Sequence, residues 1–181
     1  MERNELKQLM EKHGAFVHHF GMLVHDRDTA MKYLDNLPGV HGEWFTSEDY
    51  WGPDNVIIGK PNVLKIGQIK LFDYTIIELV EPVKGKCQGS YFEQYLQENA
   101  EGWHHICYAF PLYDDFREML DAMPGLGFEV VHHAQGVCAP GTPQQYECEY
   151  CYAVPEAGGG IVELNWAGQN RKNNIQEGDD V

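Results

Sequence analysis

The chain has 181 residues, 43% hydrophobic and 12% aromatic, which suits one domain or two small fused modules and excludes wholesale disorder. A formal charge of −15, with only 13 lysines and arginines, excludes the concentrated basic face that nucleic acid or an anionic membrane would require. No apolar run approaches the roughly 20 residues of a membrane span, and the charged start carries no secretory pattern.

In chain order, residues 1–15 form an N-terminal extension in which 2–12 read as an exposed helix. His18-His19-Phe20-Gly21-Met22-Leu23-Val24 reads as a strand. Asp28 is the expected N-cap of a helix carrying Ala30, Tyr33, Leu34 and Leu37 at helical spacing, ended by Pro38-Gly39. Residues 42–48, 63–72 and 74–82 read as three strands, with Asp73 in a tight hairpin. Tyr91-Phe92 and Tyr95-Leu96 indicate a helix in the linker 84–101.

The pattern then repeats. His104-His105-Ile106-Cys107-Tyr108-Ala109-Phe110, Asp114, Leu120-Asp121 and Pro124-Gly125 follow the first set without a gap, offset by 86 residues. Phe116, Met119, Leu120 and Met123 give the second helix, with Asp114 as expected N-cap. Residues 128–133, 146–154 and 160–166 read as its strands. Ile76-Ile77-Glu78-Leu79 finds its counterpart in Ile161-Val162-Glu163-Leu164. The expected organisation is two βαβββ modules, 16–83 and 102–166, and a flexible tail, 167–181.

Strand parity selects the candidate site. His19 shares a face with Val17, Gly21 and Leu23, while Phe20, Met22 and Val24 face the helix. His105 shares a face with Trp103, Cys107 and Ala109. Glu78 and Glu163 each stand in an apolar strand, where a carboxylate is costly unless paired or coordinated. Two histidines and two glutamates at matching places of two repeats share one explanation, a divalent metal. This neutral N/O set suits Ni, Co, Zn, Mn or Fe(II). His18 and His104 are the alternative ligands, although parity puts them on the apolar face.

Other residues take plainer readings. The pair His132-His133 reads as surface histidines, and His13, His25 and His41 as loop or cap residues. Glu43, Glu48 and Asp49 are expected to be solvated, one of them a candidate base at the cavity rim. Five cysteines and no secretory pattern imply reduced thiols in a cytoplasmic protein. Cys148 and Cys151 lie three apart in a strand, on opposite faces, as ordinary strand residues rather than a zinc or redox pair.

Gly102-Trp103-His104-His105-Ile106 and Gly160-Ile161-Val162-Glu163-Leu164 resemble the vicinal oxygen chelate superfamily, also called glyoxalase/bleomycin resistance/dioxygenase. The resemblance covers residues 16–166 and is nearest to its methylmalonyl-CoA epimerase and glyoxalase I branch. It implies an α+β fold, with tandem βαβββ modules forming a curled mixed sheet around a metal. It places one divalent ion on His19, Glu78, His105 and Glu163. Glutamate at 78, where the epimerases commonly have glutamine, is similar to the nickel-using bacterial glyoxalases I. The epimerases place an acidic base on the third strand, and the matching stretch 55–59 has no acid.

The implied chemistry is an isomerase or lyase reaction. Adjacent substrate oxygens chelate the metal, an enolate is stabilised, and Glu163, or else Glu78, moves the proton. The implied partner is a small molecule such as an acyl-CoA thioester or a glutathione hemithioacetal, and dimerisation is common in the superfamily. Two rival functions belong to the same fold. An extradiol dioxygenase uses two histidines and one glutamate around Fe(II), which leaves Glu78 unexplained. A bleomycin-resistance-type binding protein needs no metal and would hold an aromatic compound between aromatics such as Trp44, Tyr50, Trp51, Trp103 and Trp166.

Overall fold

The computed structural model describes residues 5–72, 75–143 and 145–168. In chain order these form α1 (Glu5–Lys12), β1 (Phe16–Leu23), α2 (Arg27–Leu34), β2 (Val40–Trp51), β3 (Val56–Ile58), β4 (Asn62–Leu71) and β5 (Thr75–Pro82). Then follow α3 (Tyr91–Glu98), β6 (Gly102–Phe110), α4 (Tyr113–Ala122), a 3-10 turn (Pro124–Leu126), β7 (Phe128–Cys138), β8 (Tyr146–Pro155) and β9 (Ile161–Ala167). The Asp73 hairpin and residues 169–181 of the tail lie outside the described residues. Among the described residues no helix is long and apolar enough to cross a membrane.

The strands make one curled mixed sheet in the order β2-β4-β5-β1-β6-β9-β8-β7-β3. The order is a mirrored repeat. β1 and β6 run antiparallel at the centre, and each is flanked by a parallel partner, β5 or β9. A parallel pair needs a crossover connection, and α2 and α4 lie within those crossovers. β3 leaves this symmetry, crossing from the first repeat to pair with the outer strand of the second, Val56 opposite Ala134.

Alternating side chains divide the core into two outer clusters and one inner cluster. Met22, Val24, Ile77 and Leu79 pack under α2, as parity predicts. Phe110, Phe116, Met119 and Leu164 pack under α4. Leu23, Trp51, Val80, Tyr150 and Tyr152 face the concave interior, whose end is covered by Phe92 and Leu96 of α3.

Several expectations are corrected. α1 is not wholly exposed: Met10 is buried in the cluster under α4, with Leu6 and Leu9 against it. The cap of α2 is Asp26, which accepts from Thr29 N, so Asp28 lies inside the first turn. α4 starts after Leu112 without a side-chain cap, and Asp114 is again inside the first turn. Both aspartates still complement the positive helix N-terminus.

The cysteines are not all reduced, because Cys138 and Cys148 form a disulfide. Antiparallel β7 and β8 bring them 6.3 Å apart at Cα, within bonding reach. Cys151 remains a free buried thiol on the opposite face, in the α4 cluster.

Candidate metal centre

The four central strands converge on one point. Gly21 on β1 pairs with both Glu78 and His105, and Cys107 on β6 pairs with both His19 and Glu163. Each small residue leaves room beneath a ring or carboxylate. At Gly21 the need is strict, since a methyl group there would overlap the His105 imidazole.

His19, Glu78, His105 and Glu163 are all buried and offer ligand atoms within 4.8 Å of one another. His19 Nε2 lies 3.1 Å from His105 Nε2, 3.1 Å from Glu163 Oε2 and 3.2 Å from Glu78 Oε2. His105 Nε2 lies 3.0 Å from Glu163 Oε2 and 3.7 Å from Glu78 Oε2. Four donors about 2.0–2.1 Å from a central ion stand about 3.3 Å apart when tetrahedral. The observed separations bracket that edge, so the donor set fits a divalent ion in both chemistry and spacing.

The outward atoms of the donors are held as well. His18 Nδ1 lies 2.8 Å from His19 Nδ1, and His104 Nδ1 lies 2.9 Å from His105 Nδ1. Simple alternation would turn the two histidines of each pair to opposite faces. A β-bulge intervenes in each strand: His18 and His104 are both skipped in the β1–β6 pairing. His18 and His104 therefore stand behind the central imidazoles instead of on the apolar face. Tyr91 Oη lies 3.1 Å from His104 Nε2. Gln68 Nε2 donates to Glu78 Oε1 at 2.6 Å, and Asn165 Nδ2 donates to Glu163 Oε1 at 3.2 Å. Each central residue thus keeps one donor atom directed inward.

Electrostatics agree with this division. Burial opposes charge on Glu163, yet His19 and the hydrogen bonds from His105 and His19 outweigh it and hold its carboxyl at about 2. Burial likewise opposes charge on Glu78, but the same imidazoles hold it well below the usual range. Burial also works against a charged His19. Cys107, Glu78 and Glu163 overcome this and raise it well above the ordinary imidazole value. His104 is pushed down to about 3 by burial and then by the charge on His105, so it is neutral at pH 7.

The cluster opens into a small, open-mouthed cavity of about 50 Å³. Of the aromatics expected there, only Trp51 lines it, joined by Phe45, Tyr146, Tyr150 and Tyr152. Tyr50 and Trp103 are exposed. Trp44 packs near α2, and Trp166 packs on Tyr113.

Of the three acids offered as a base at the cavity rim, Asp49 is the one at the cavity, and it is buried instead of solvated. It lines the cavity, is 5% exposed, and accepts from Ala139 N at 2.9 Å. Burial raises its carboxyl to about 6, more than the Ala139 hydrogen bond lowers it, and the charge of Glu78 adds to the rise. Its apolar alternates Trp51 and Phe45 were the available signal. Glu48 meets the expectation of a solvated acid, paired with Lys86 at 3.3 Å. His132 and His133 are buried, not superficial: His132 Nε2 lies 3.2 Å from Tyr150 Oη, and His133 Nε2 lies 2.8 Å from Glu149 Oε1.

Residues 18–146 match the model of the glyoxalase/bleomycin resistance protein/dioxygenase superfamily. No curated protein sequence matches the chain. Among solved structures, methylmalonyl-CoA epimerase from Mycobacterium tuberculosis is similar at 15% identity and a TM-score of 0.55, covering 87% of this chain and 91% of that one. A hypothetical protein from Bacillus halodurans is similar at 18% identity and 0.53, covering 86% and 96%. A triple variant of 4-hydroxymandelate synthase from Streptomyces coelicolor is similar at 12% and 0.50, covering 85% and 49%. At these identities the likeness establishes the fold.

Proposed function

Because the chain belongs to the glyoxalase/bleomycin resistance protein/dioxygenase superfamily, we propose that it is a divalent-metal-dependent isomerase or lyase of the glyoxalase and epimerase type. His19, Glu78, His105 and Glu163 would hold the ion. The observation that carries this reading is the convergence of four buried donors with separations of 3.0–3.7 Å between Nε2 and Oε2 atoms, each donor anchored on its outward side.

Bound there, the ion would supply a Lewis acid for negative charge developing on adjacent substrate oxygens. The chain's own residues do the rest. His18 and His104 fix the central imidazoles with Nε2 inward. Gln68 and Asn165 fix the carboxylates with Oε2 inward. Glu163 is the first candidate to move a proton, provided its Oε2 leaves the ion, and Glu78 the second. The aromatic walls would shield the reacting end of the cavity from water once a ligand fills it.

The test is metal content of the purified protein, reconstituted in turn with Ni, Co, Zn, Mn and Fe(II), beside His105→Ala and Glu163→Ala. The expected result is about one ion per chain, lost in both variants. No uptake of any of the five ions overturns the catalytic reading. The aromatic walls favour a second reading in that case, a binding protein on the same scaffold.

A further inference from the structure

We propose that the cavity selects a compact, flat, uncharged molecule, with vicinal oxygens at one end and a hydrogen-bond donor at the other that is received by Asp49. This rests on the reading of the four-residue cluster as a metal centre, and it narrows the substrate class away from acyl-CoA thioesters and glutathione conjugates.

Three observations carry it. First, aromatic side chains from both repeats line the cavity, Phe45, Trp51, Tyr146, Tyr150 and Tyr152, which favours a planar ligand that packs against their faces and edges. Second, among the described residues no lysine or arginine lines the cavity. The nearby cations are engaged elsewhere. Arg27 binds Asp28 and the carbonyls of Ser47 and Ile66, Lys65 binds Glu81, and Lys86 pairs with Glu48. Coenzyme A and glutathione carry ionised phosphates or carboxylates, and burying these without a cation is costly.

Third, Asp49 is itself a buried acid on that wall. Its Oδ1 takes the Ala139 amide hydrogen, so it retains acceptor capacity within the lining of the cavity. With the divalent ion neutralised by Glu78 and Glu163, an ionised Asp49 leaves the site negative. That repels anions and attracts a hydroxyl or N–H donor.

The experiment is calorimetric titration of the full chain, ion-loaded and ion-free. The probes are 4-hydroxybenzohydroxamic acid (flat, uncharged, with vicinal oxygens at one end and a phenolic hydroxyl at the other), 4-ethylphenol (a donor with no chelating pair), S-lactoylglutathione and methylmalonyl-CoA. Asp49→Asn and Ser47→Lys are measured beside the wild type, with folding checked by circular dichroism. In the loaded protein 4-hydroxybenzohydroxamic acid is expected to bind at least roughly tenfold tighter than either anion, and Asp49→Asn to weaken it by roughly tenfold at unchanged metal content. Ser47→Lys is expected to raise the affinity for S-lactoylglutathione. Tighter binding of an anion by the wild type, or an unchanged 4-hydroxybenzohydroxamate affinity in Asp49→Asn, overturns the proposal. The metal reading fails separately, if no ion binds. In that case 4-ethylphenol still decides, because its weakening in Asp49→Asn upholds the Asp49 contact and its indifference overturns it.

Discussion

The two repeats agree at their centre and differ at their walls. His19 and Glu78 in the first repeat match His105 and Glu163 in the second, on strands that pair in the same way. The cross-strand neighbour of Glu78 is Gln68, an amide that holds it, whereas the cross-strand neighbour of Glu163 is Tyr152, an aromatic wall. Glu163 is held instead by Asn165, two residues along its own strand. Beneath the central imidazoles the first repeat has Gly21 and the second Cys107. Buried acids also differ: Asp49 in the first repeat faces the cavity without a cation, while Glu149 in the second is tied to Tyr113, Arg117 and His133. The duplicated part brings the four-residue cluster together, and the divergent part shapes the cavity.

Substitution at the matching small residues should break the symmetry most. Gly21→Ala forces the His105 ring aside and is expected to abolish ion binding. Cys107→Ala only trims a buried thiol, costing on the order of 1 kcal/mol, with ion binding retained. Metal content and urea midpoints of the two variants check this, and equal loss in both would remove the asymmetry.

The two buried acids should give opposite pH signatures. Asp49 is raised from 3.8 to about 6 in the fold, so its burial costs stability that appears as pH rises through that window. Asp49→Asn is therefore expected to stabilise the protein at pH 7 by up to about 3 kcal/mol, a gain that vanishes near pH 4. Glu149 is held below its ordinary range. Burial opposes this, but the hydrogen bonds from Tyr113, His133 and Arg117 prevail. Its contribution is present above the ordinary glutamate value and is lost as pH falls through the folded one. Glu149→Gln should thus destabilise at neutral pH and matter less in acid. Thermal midpoints across pH 4–8 test both signs.

The smallest effects concern the amides behind the carboxylates. Gln68→Ala and Asn165→Ala are each expected to weaken ion affinity by roughly 10–100-fold, as loss of a group orienting a ligand does. Gln68→Ala should sit at the upper end, since its bond is 2.6 Å against 3.2 Å for Asn165. Competition with a chelator orders the two, and a larger loss at Asn165 would reverse the assignment.

Much of this molecule was legible in the chain. The gap-free repeat places β1 with β6 and α2 with α4. The apolar alternation around Glu78 and Glu163 separates the helix-facing side chains from those turned inward. Periodicity carries such information because it follows from local geometry, two residues per strand repeat and 3.6 per helical turn. It failed at His18 and His104, where a bulge shifts the phase by one residue and no local signal announces it. It failed again at Asp49, His132 and His133, whose burial depends on what the curled sheet brings opposite them, and at Cys138 and Cys148, joined by the pairing of β7 with β8. The sequence alone determined the tandem repeat and the matched residues His19, Glu78, His105 and Glu163, because repetition writes those directly into residue order. Only the tertiary structure decided which side chains stand behind the donors and what lines the cavity, because contacts between distant strands set both.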